Sequence, residues 1–272
     1  MKIIIFTDLD GTLLDAVNYS YEPAGEALET ISELQIPLVI MSSKTKEEIE
    51  LLRRDLRNNH PFVSENGGGV FIPEAYFPFP VHYTRKEKDC LIVESGIRIT
   101  KLTEFLDRVT REHAFPVKAF HSMSLKDVSR LTGLPMDLAA MAKAREYDEP
   151  FLFEGNEDQW ARLKELVESE GLVLTRGGRF SHISGSNDKG TAVRILMDCY
   201  RRQYTDTLIV GLGDALNDLP FLRMVDIPVL IQRPDGTYDS EIDIPGLYYA
   251  SRPGPEGWNS AVLEIIRRGR IL

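Results

Sequence analysis

The stretch Lys2-Ile3-Ile4-Ile5-Phe6-Thr7-Asp8-Leu9-Asp10-Gly11-Thr12 decides the fold of this 272-residue chain. Residues 2–7 form a short, β-branched apolar run, which reads as a buried strand. Asp8-Leu9-Asp10-Gly11-Thr12 follows without a break. In an open parallel sheet, ligands gather outside the carboxyl ends of the strands, so Asp8 and Asp10 would face one small volume. Paired carboxylates there suit a hard, oxygen-seeking ion such as Mg2+. One of them could also attack phosphorus to give an aspartyl-phosphate. Gly11 allows the sharp turn that brings backbone close to a ligand. Aspartates also open ordinary turns, but the full string after an N-terminal apolar strand argues against so plain a role.

Working outward, Ala24, Ala27, Leu28, Ile31 and Leu34 recur at helical spacing over 22–34, and Ile36 to Met41 form a second buried strand. A helix over 45–57 opens with Thr45 as N-cap and Glu48 three positions later, a capping-box pattern. Strand and helix in alternation predict an α/β chain with a Rossmann-like parallel-sheet core. The pattern breaks near 60–80, where Ser64-Glu65-Asn66-Gly67-Gly68-Gly69 reads as a turn-rich loop. Residues 82–184 read as an inserted α/β unit. It is expected to hold strands at 90–94, 151–153 and 172–175, helices at 100–113 and 158–170, and two helical stretches at 124–130 and 135–144. The first pattern resumes with a helix over 189–203, a strand over 207–211, a helix over 215–223 and a strand over 227–231. The core is thus expected to comprise 1–81 and 185–272, and no role is assigned to 232–250.

A second acidic cluster closes the resumed pattern. The apolar run Thr207-Leu-Ile-Val-Gly-Leu-Gly213 leads into Asp214-Ala215-Leu216-Asn217-Asp218. Leu216 stands where a dinucleotide fingerprint needs its third glycine, and no phosphate-loop string occurs, so both nucleotide-binding readings fail. Asp214 could bind a metal directly, with Asn217 and Asp218 one helical turn further on.

The string at 8–12 resembles the nucleophile motif of the haloacid dehalogenase superfamily of phosphatases, and three further motifs follow in that superfamily's order. Ser42 stands after the second strand, where a hydroxyl is expected to hold a phosphate oxygen; Ser43 and Lys44 follow it. Lys189 stands at a helix start, where its charge would stabilise the transition state. Asp214 to Asp218 supply the last motif. The resemblance implies Mg2+ held by Asp8, Asp214 and the backbone carbonyl of Asp10, with Asp8 as nucleophile and Asp10 as acid and base. The inserted unit resembles the lid of one branch of the superfamily. Within it, Arg145 to Phe151 and Gly177 to Ile183, with the later string Gly254-Pro255-Glu256-Gly257-Trp258-Asn259, are similar to the mannosyl-3-phosphoglycerate phosphatase family. That resemblance implies a small phosphorylated sugar-glycerate substrate. Arg145 and Arg179 would clamp anionic groups, Glu146 and His182 would meet sugar hydroxyls, and Ser43, Asn66 and Gly67 would line the mouth. Other sugar phosphatases, of glucosyl-phosphoglycerate or sucrose-phosphate type, a phosphomutase, and a regulatory protein with a decayed site are the competing readings.

Composition sets the outer bounds. A net charge of -10 argues against nucleic-acid binding, which needs a basic surface. Cys90 and Cys199 are too few and too far apart for a zinc site or a disulfide scaffold. No segment has the length and apolarity of a membrane span or signal peptide, so a cytoplasmic protein without membrane partners is expected.

Overall fold

A computed structural model describes residues 1–177 and 179–269; Gly178, in one of the strings above, lies outside the described residues. The chain runs β1 (Lys2–Thr7), α1 (Gly25–Glu33), β2 (Leu38–Met41), α2 (Lys46–Asp55), β3 (Phe62–Ser64), β4 (Gly69–Pro73), β5 (Arg85–Glu87) and β6 (Cys90–Glu94). Then come α3 (Ile99–His113), β7 (Val117–Ala119), α4 (Leu125–Thr132), α5 (Met136–Lys143), β8 (Asp148–Phe153), α6 (Glu157–Ser169), β9 (Val173–Arg176) and β10 (Ser181–Ser184). The last part holds α7 (Lys189–Gln203), β11 (Thr207–Gly213), α8 (Leu219–Leu222), β12 (Ile227–Gln232), β13 (Tyr248–Pro253) and α9 (Gly254–Gly269).

Nine strands form one sheet in the order β13-β12-β11-β1-β2-β3-β4-β6-β5, parallel from β13 through β3 and antiparallel beyond. The apolar run of β1 is buried on both faces, as a central parallel strand must be. Ile3 and Ile5 pack with α1, α2 and α9 on one side, and Ile4 and Phe6 pack with α7 and α8 on the other. Thr45 caps α2 with both bonds of the capping box in place. Among the described residues, no helix is long and apolar enough to cross a membrane.

The inserted unit, called the cap below, has its own four-stranded antiparallel sheet, β7-β8-β10-β9. Leu102, Phe105, Leu106 and Val109 of α3 and Leu163 and Val167 of α6 close a core against it. Helices α4 and α5 bury a smaller cluster around Phe120 and Val128.

The structure corrects several expectations. The strand at 90–94 was assigned to the inserted unit, but it pairs with β4 and β5 in the large sheet. The loop read over 64–69 is a tight turn between two strands, and β3 and β4 were missed because each is short and the glycines mask their period. Strand β11 runs on to Gly213, and the helix expected over 215–223 is a 3-10 turn (Leu216–Asp218) followed by a single α turn starting at Leu219 and Pro220. The helix expected from 22 likewise opens with a 3-10 turn, Glu22–Ala24.

Candidate active site

Strand β1 lies between β11 and β2, parallel to both, so the carboxyl ends of all three reach the same edge of the sheet. Asp8 and Asp10 follow β1, Ser42 follows β2 and Asp214 follows β11. Helix α7 begins at this edge; Asp188 caps it by accepting from Thr191 N at 2.9 Å, which places Lys189 in its first turn. One crevice at the reversal of strand order therefore gathers residues from both ends of the chain.

The centre is a buried ionic knot. Lys189 is 0% exposed, and its Nζ donates to Asp8 Oδ1 at 2.5 Å and to Asp218 Oδ1 at 2.6 Å. Burial opposes the charge on Lys189, but Asp218 and Asp8 outweigh it and hold the ammonium above its usual value. Asp218 is largely taken up, because its Oδ2 also accepts from the backbone N–H of Asp214 at 3.0 Å and of Ala215 at 3.1 Å. Asp8 Oδ2, by contrast, has no hydrogen-bond partner among the described residues. Burial pushes the Asp8 carboxyl upward against the pull of Lys189, with Asp218 and Asp214 adding to the rise. Burial, then Asp218, pushes Asp214 up to about 6.

Oxygens of Asp8, Asp214 and Asp218 lie within 4.8 Å of one another. The set is all carboxylate and hard, which fits Mg2+. Since both oxygens of Asp218 are occupied, Asp8 and Asp214 are the free donors, and Asp218 fixes Lys189 and the loop that carries Asp214. Thr12 Oγ1 orients Asp214 by donating to its Oδ1 at 3.0 Å. Gly11 makes room for this group: its φ is +79°, and a Cβ there would sit 2.6 Å from Asp214 Oδ2. The side chain of Asp10 turns elsewhere and meets Lys44 Nζ at 2.9 Å. Burial works against charge on Lys44, and Asp10 and Glu48 more than offset it. Ser42 is buried, and its Oγ accepts from Lys44 N at 3.1 Å, which leaves the hydroxyl proton free to donate.

Core and cap together enclose a cleft of about 440 Å3 whose lining includes Asp10, Tyr19, Lys44, Phe120, Phe180 and His182. A second, more polar hollow of about 450 Å3 holds Asn66, Asp148, Lys189 and Asn217. Ser43, Arg145 and His182 line both. Arg145 Nη1 donates to Ser43 O and to Asp148 Oδ2, each at 2.9 Å, and its Nη2 has no partner among the described residues. His182 Nδ1 meets the same Asp148 oxygen at 2.9 Å. Asn66 Oδ1 accepts from Asn217 Nδ2 at 3.2 Å, at the rim of the loop that carries Asp214. Gly67, at φ +97°, tolerates no side chain, since a Cβ would lie 2.2 Å from Asp188 O.

Two expected contact residues are not brought to the cleft. Glu146 Oε2 accepts from Arg85 Nη2 at 2.5 Å and Arg98 Nη1 at 3.0 Å, so its carboxylate is consumed in an ion cluster at the edge of the core. Arg179 is exposed and donates to the carbonyl of Leu131. Sequence reasoning also passed over residues that the structure makes central. Asp148 holds both Arg145 and His182, and its only signal was its place within the Arg145 string. Trp258 of the terminal string is buried, and its Nε1 donates to Thr7 Oγ1 at 3.0 Å, which in turn donates to the carbonyl of Asp8 at 2.7 Å. The neighbouring Asn259 caps α1 by accepting from Ala27 N at 2.8 Å.

This fold and this edge-of-sheet knot of aspartates and lysine define a haloacid dehalogenase-like hydrolase, and the family model of that description matches residues 5–78. A solved phosphatase of the same superfamily from Bacteroides thetaiotaomicron has the fold, with a TM-score of 0.67 over 100% of this chain and 96% of that one at 18% identity. The glucosyl-3-phosphoglycerate/mannosyl-3-phosphoglycerate phosphatase of Methanococcoides burtonii is 44% identical over 266 residues, 98% of either chain. The protein of the same name from Persephonella marina is 41% identical over 97% of either chain. The chain belongs to the mannosyl-3-phosphoglycerate phosphatase family and is a phosphoric monoester hydrolase.

Proposed function

We propose that the protein hydrolyses mannosyl-3-phosphoglycerate to mannosylglycerate and phosphate through an aspartyl-phosphate on Asp8. One observation carries the reading: buried Lys189 holds Asp8 through Oδ1 and leaves Oδ2 without a partner among the described residues, while Arg145, in the cleft lining, likewise keeps Nη2 unpaired among them. Asp8 Oδ2 attacks phosphorus in line, and the bond to the glycerate oxygen breaks with its electron pair leaving on that oxygen. Asp10, which lines the cleft, gives the leaving oxygen its proton and then takes one from the water that cleaves the aspartyl-phosphate. Ser42 and Lys189 donate to the non-bridging oxygens. Asp8, Asp214 and the backbone carbonyl of Asp10 would hold magnesium, which would supply positive charge against the phosphate. Arg145 meets the glycerate carboxylate through Nη2, and His182 meets the sugar.

The glucosyl compound is the second reading, favoured by relatives whose names carry both sugars. Phosphate release from both glycosyl phosphoglycerates and from an aryl phosphate tests the proposal. The expected kcat/KM favours a glycosyl phosphoglycerate by about 100-fold or more, the value of several oriented polar contacts. Equal or faster aryl phosphate turnover would discard the substrate. Phosphate release only in the presence of an activating bisphosphate would indicate a phosphomutase instead.

The raised carboxyls set a pH dependence. Mg2+ needs Asp214 ionised, so its affinity should fall about tenfold per unit as pH drops below about 6, and more steeply wherever Asp8, also raised by burial, takes up a proton as well. The metal-free protein should behave in the opposite sense. A folded-state pKa above the unfolded value gives stability that is full below the unfolded value and is lost as pH rises through about 6. Melting temperatures at pH 5 and 7.5, with EDTA or with Mg2+, check both; the Mg2+ increment should be the larger at pH 7.5.

A further inference from the structure

The turn from Glu65 to Gly69 touches every segment that joins core to cap. On the outgoing side, Ser95 N and Gly96 N donate to Gly68 O at 3.0 and 2.9 Å, and Ser95 Oγ donates to Gly67 O at 2.6 Å. On the return, Asn187 Nδ2 donates to Glu65 O at 3.1 Å, and Gly67 lies against Asp188. Between these, the Glu65 side chain reaches into the cap. The residue is only 2% exposed, and its Oε1 accepts from Glu146 N at 2.9 Å while its Oε2 accepts from Tyr147 N at 2.8 Å.

Glu65 and Asn66 hold φ of +47° and +53°, the left-handed region. Side chains larger than glycine persist there in succession only where surrounding contacts over-determine them. The consequence is a division of labour between neighbours: Glu65 points to the cap and Asn66 to Asn217 beside the metal-binding loop.

We propose that Glu65 is a positioning residue which fixes cap segment 145–148 over the phosphate site, and through it Arg145, Asp148 and His182. The two amides it holds lie between Arg145 and Asp148, and Asp148 anchors both Arg145 and His182. A carboxylate is the only side chain with two acceptor oxygens and no donor at this reach. Glutamine would turn an NH2 group towards one of the two N–H groups. Burial pushes Glu65 up to about 7 against the pull of Arg145 and the two amides, and an apolar residue in its place would leave both buried N–H groups without an acceptor. The catalytic consequence rests on the proposed reading of the cleft as the seat of the sugar-glycerate portion.

Glu65→Gln tests the proposal with two readouts. Amide hydrogen exchange at Glu146 and Tyr147 should speed up about tenfold or more, with the amides of β1 unchanged. KM for mannosyl-3-phosphoglycerate should rise about 10- to 100-fold, while kcat/KM for an aryl phosphate, too small to need segment 145–148, stays within about threefold. Unchanged exchange at the two amides overturns the proposal whatever the substrate. Equal losses for both substrates overturn it as well, because they mean general damage to the site. If the wild-type protein ignores glycosyl phosphoglycerates, the substrate reading fails and the exchange rates still decide Glu65. Should the variant not fold, Glu65→Asp, which keeps both acceptors but withdraws them by one methylene, is read in the same way.

Discussion

Replacing Asp8 with Asn will abolish phosphate release while leaving the fold intact. The amide cannot attack phosphorus, so the loss should be on the order of 10^4-fold or more, the scale for removal of a covalent nucleophile. The fold should survive because the change is isosteric and relieves rather than adds strain. Asp8 shares a buried volume with Asp214 and Asp218, and burial already drives its carboxyl towards the neutral form. The metal-free variant should therefore melt at or above the wild-type temperature at pH 7.5, and Mg2+ should raise it less than it raises wild type. Steady-state phosphate release with circular dichroism melting reads both. Turnover within tenfold of wild type would remove Asp8 from the mechanism.

Lys189→Met should have the second largest effect, and on both activity and stability. Met fills much the same volume, but the knot loses the one cation that touches Asp8 and Asp218 among the described residues. Breaking a buried pair by removing one partner costs about 3–5 kcal/mol, so a marked fall in melting temperature is expected at neutral pH. Removing a donor aimed at the reacting phosphate costs about 10^2- to 10^3-fold in kcat. Two conditions should restore stability without restoring kcat. Mg2+ supplies positive charge to the same carboxylates, and low pH neutralises them. A melting temperature indifferent to both would mean that Lys189 does not balance the aspartates.

The parts of this protein legible in its sequence are those fixed by short-range pattern. The run at 2–7 needs both faces buried, and the capping box at Thr45 and Glu48 declares its helix start; both appear as read. Asp8, Asp10, Ser42 and Asp214 come together as the pattern predicts because each lies just beyond an apolar strand, and a parallel sheet delivers such positions to one edge; Lys189 reaches the same edge from the start of a helix. What failed depended on partners distant in sequence. Nothing local distinguishes Glu146, whose carboxylate is taken by Arg85 and Arg98, from a glutamate free to meet a sugar. Glu65 is hidden for the same reason, since its partners are amides that lie 81 and 82 residues further on. The strand at 90–94 was placed in the wrong sheet because an isolated apolar pentapeptide carries no information on which edge it joins.

The seat of β1 between β2 and β11 also has a consequence for synthesis on the ribosome. One edge of β1 pairs with residues at 38–40, made soon after it, but the other waits for residues 207–212. Until then the nascent chain carries an apolar strand with open backbone groups, the kind of edge that chaperones cover and that aggregates when they do not. The cap closes its own core within 97–183 in the meantime. Trp258, made later still, adds its bond to Thr7, the residue before Asp8. A chain that stops before residue 207 would therefore hold an assembled cap beside an unfinished sheet and lack Asp214 and Asp218 altogether.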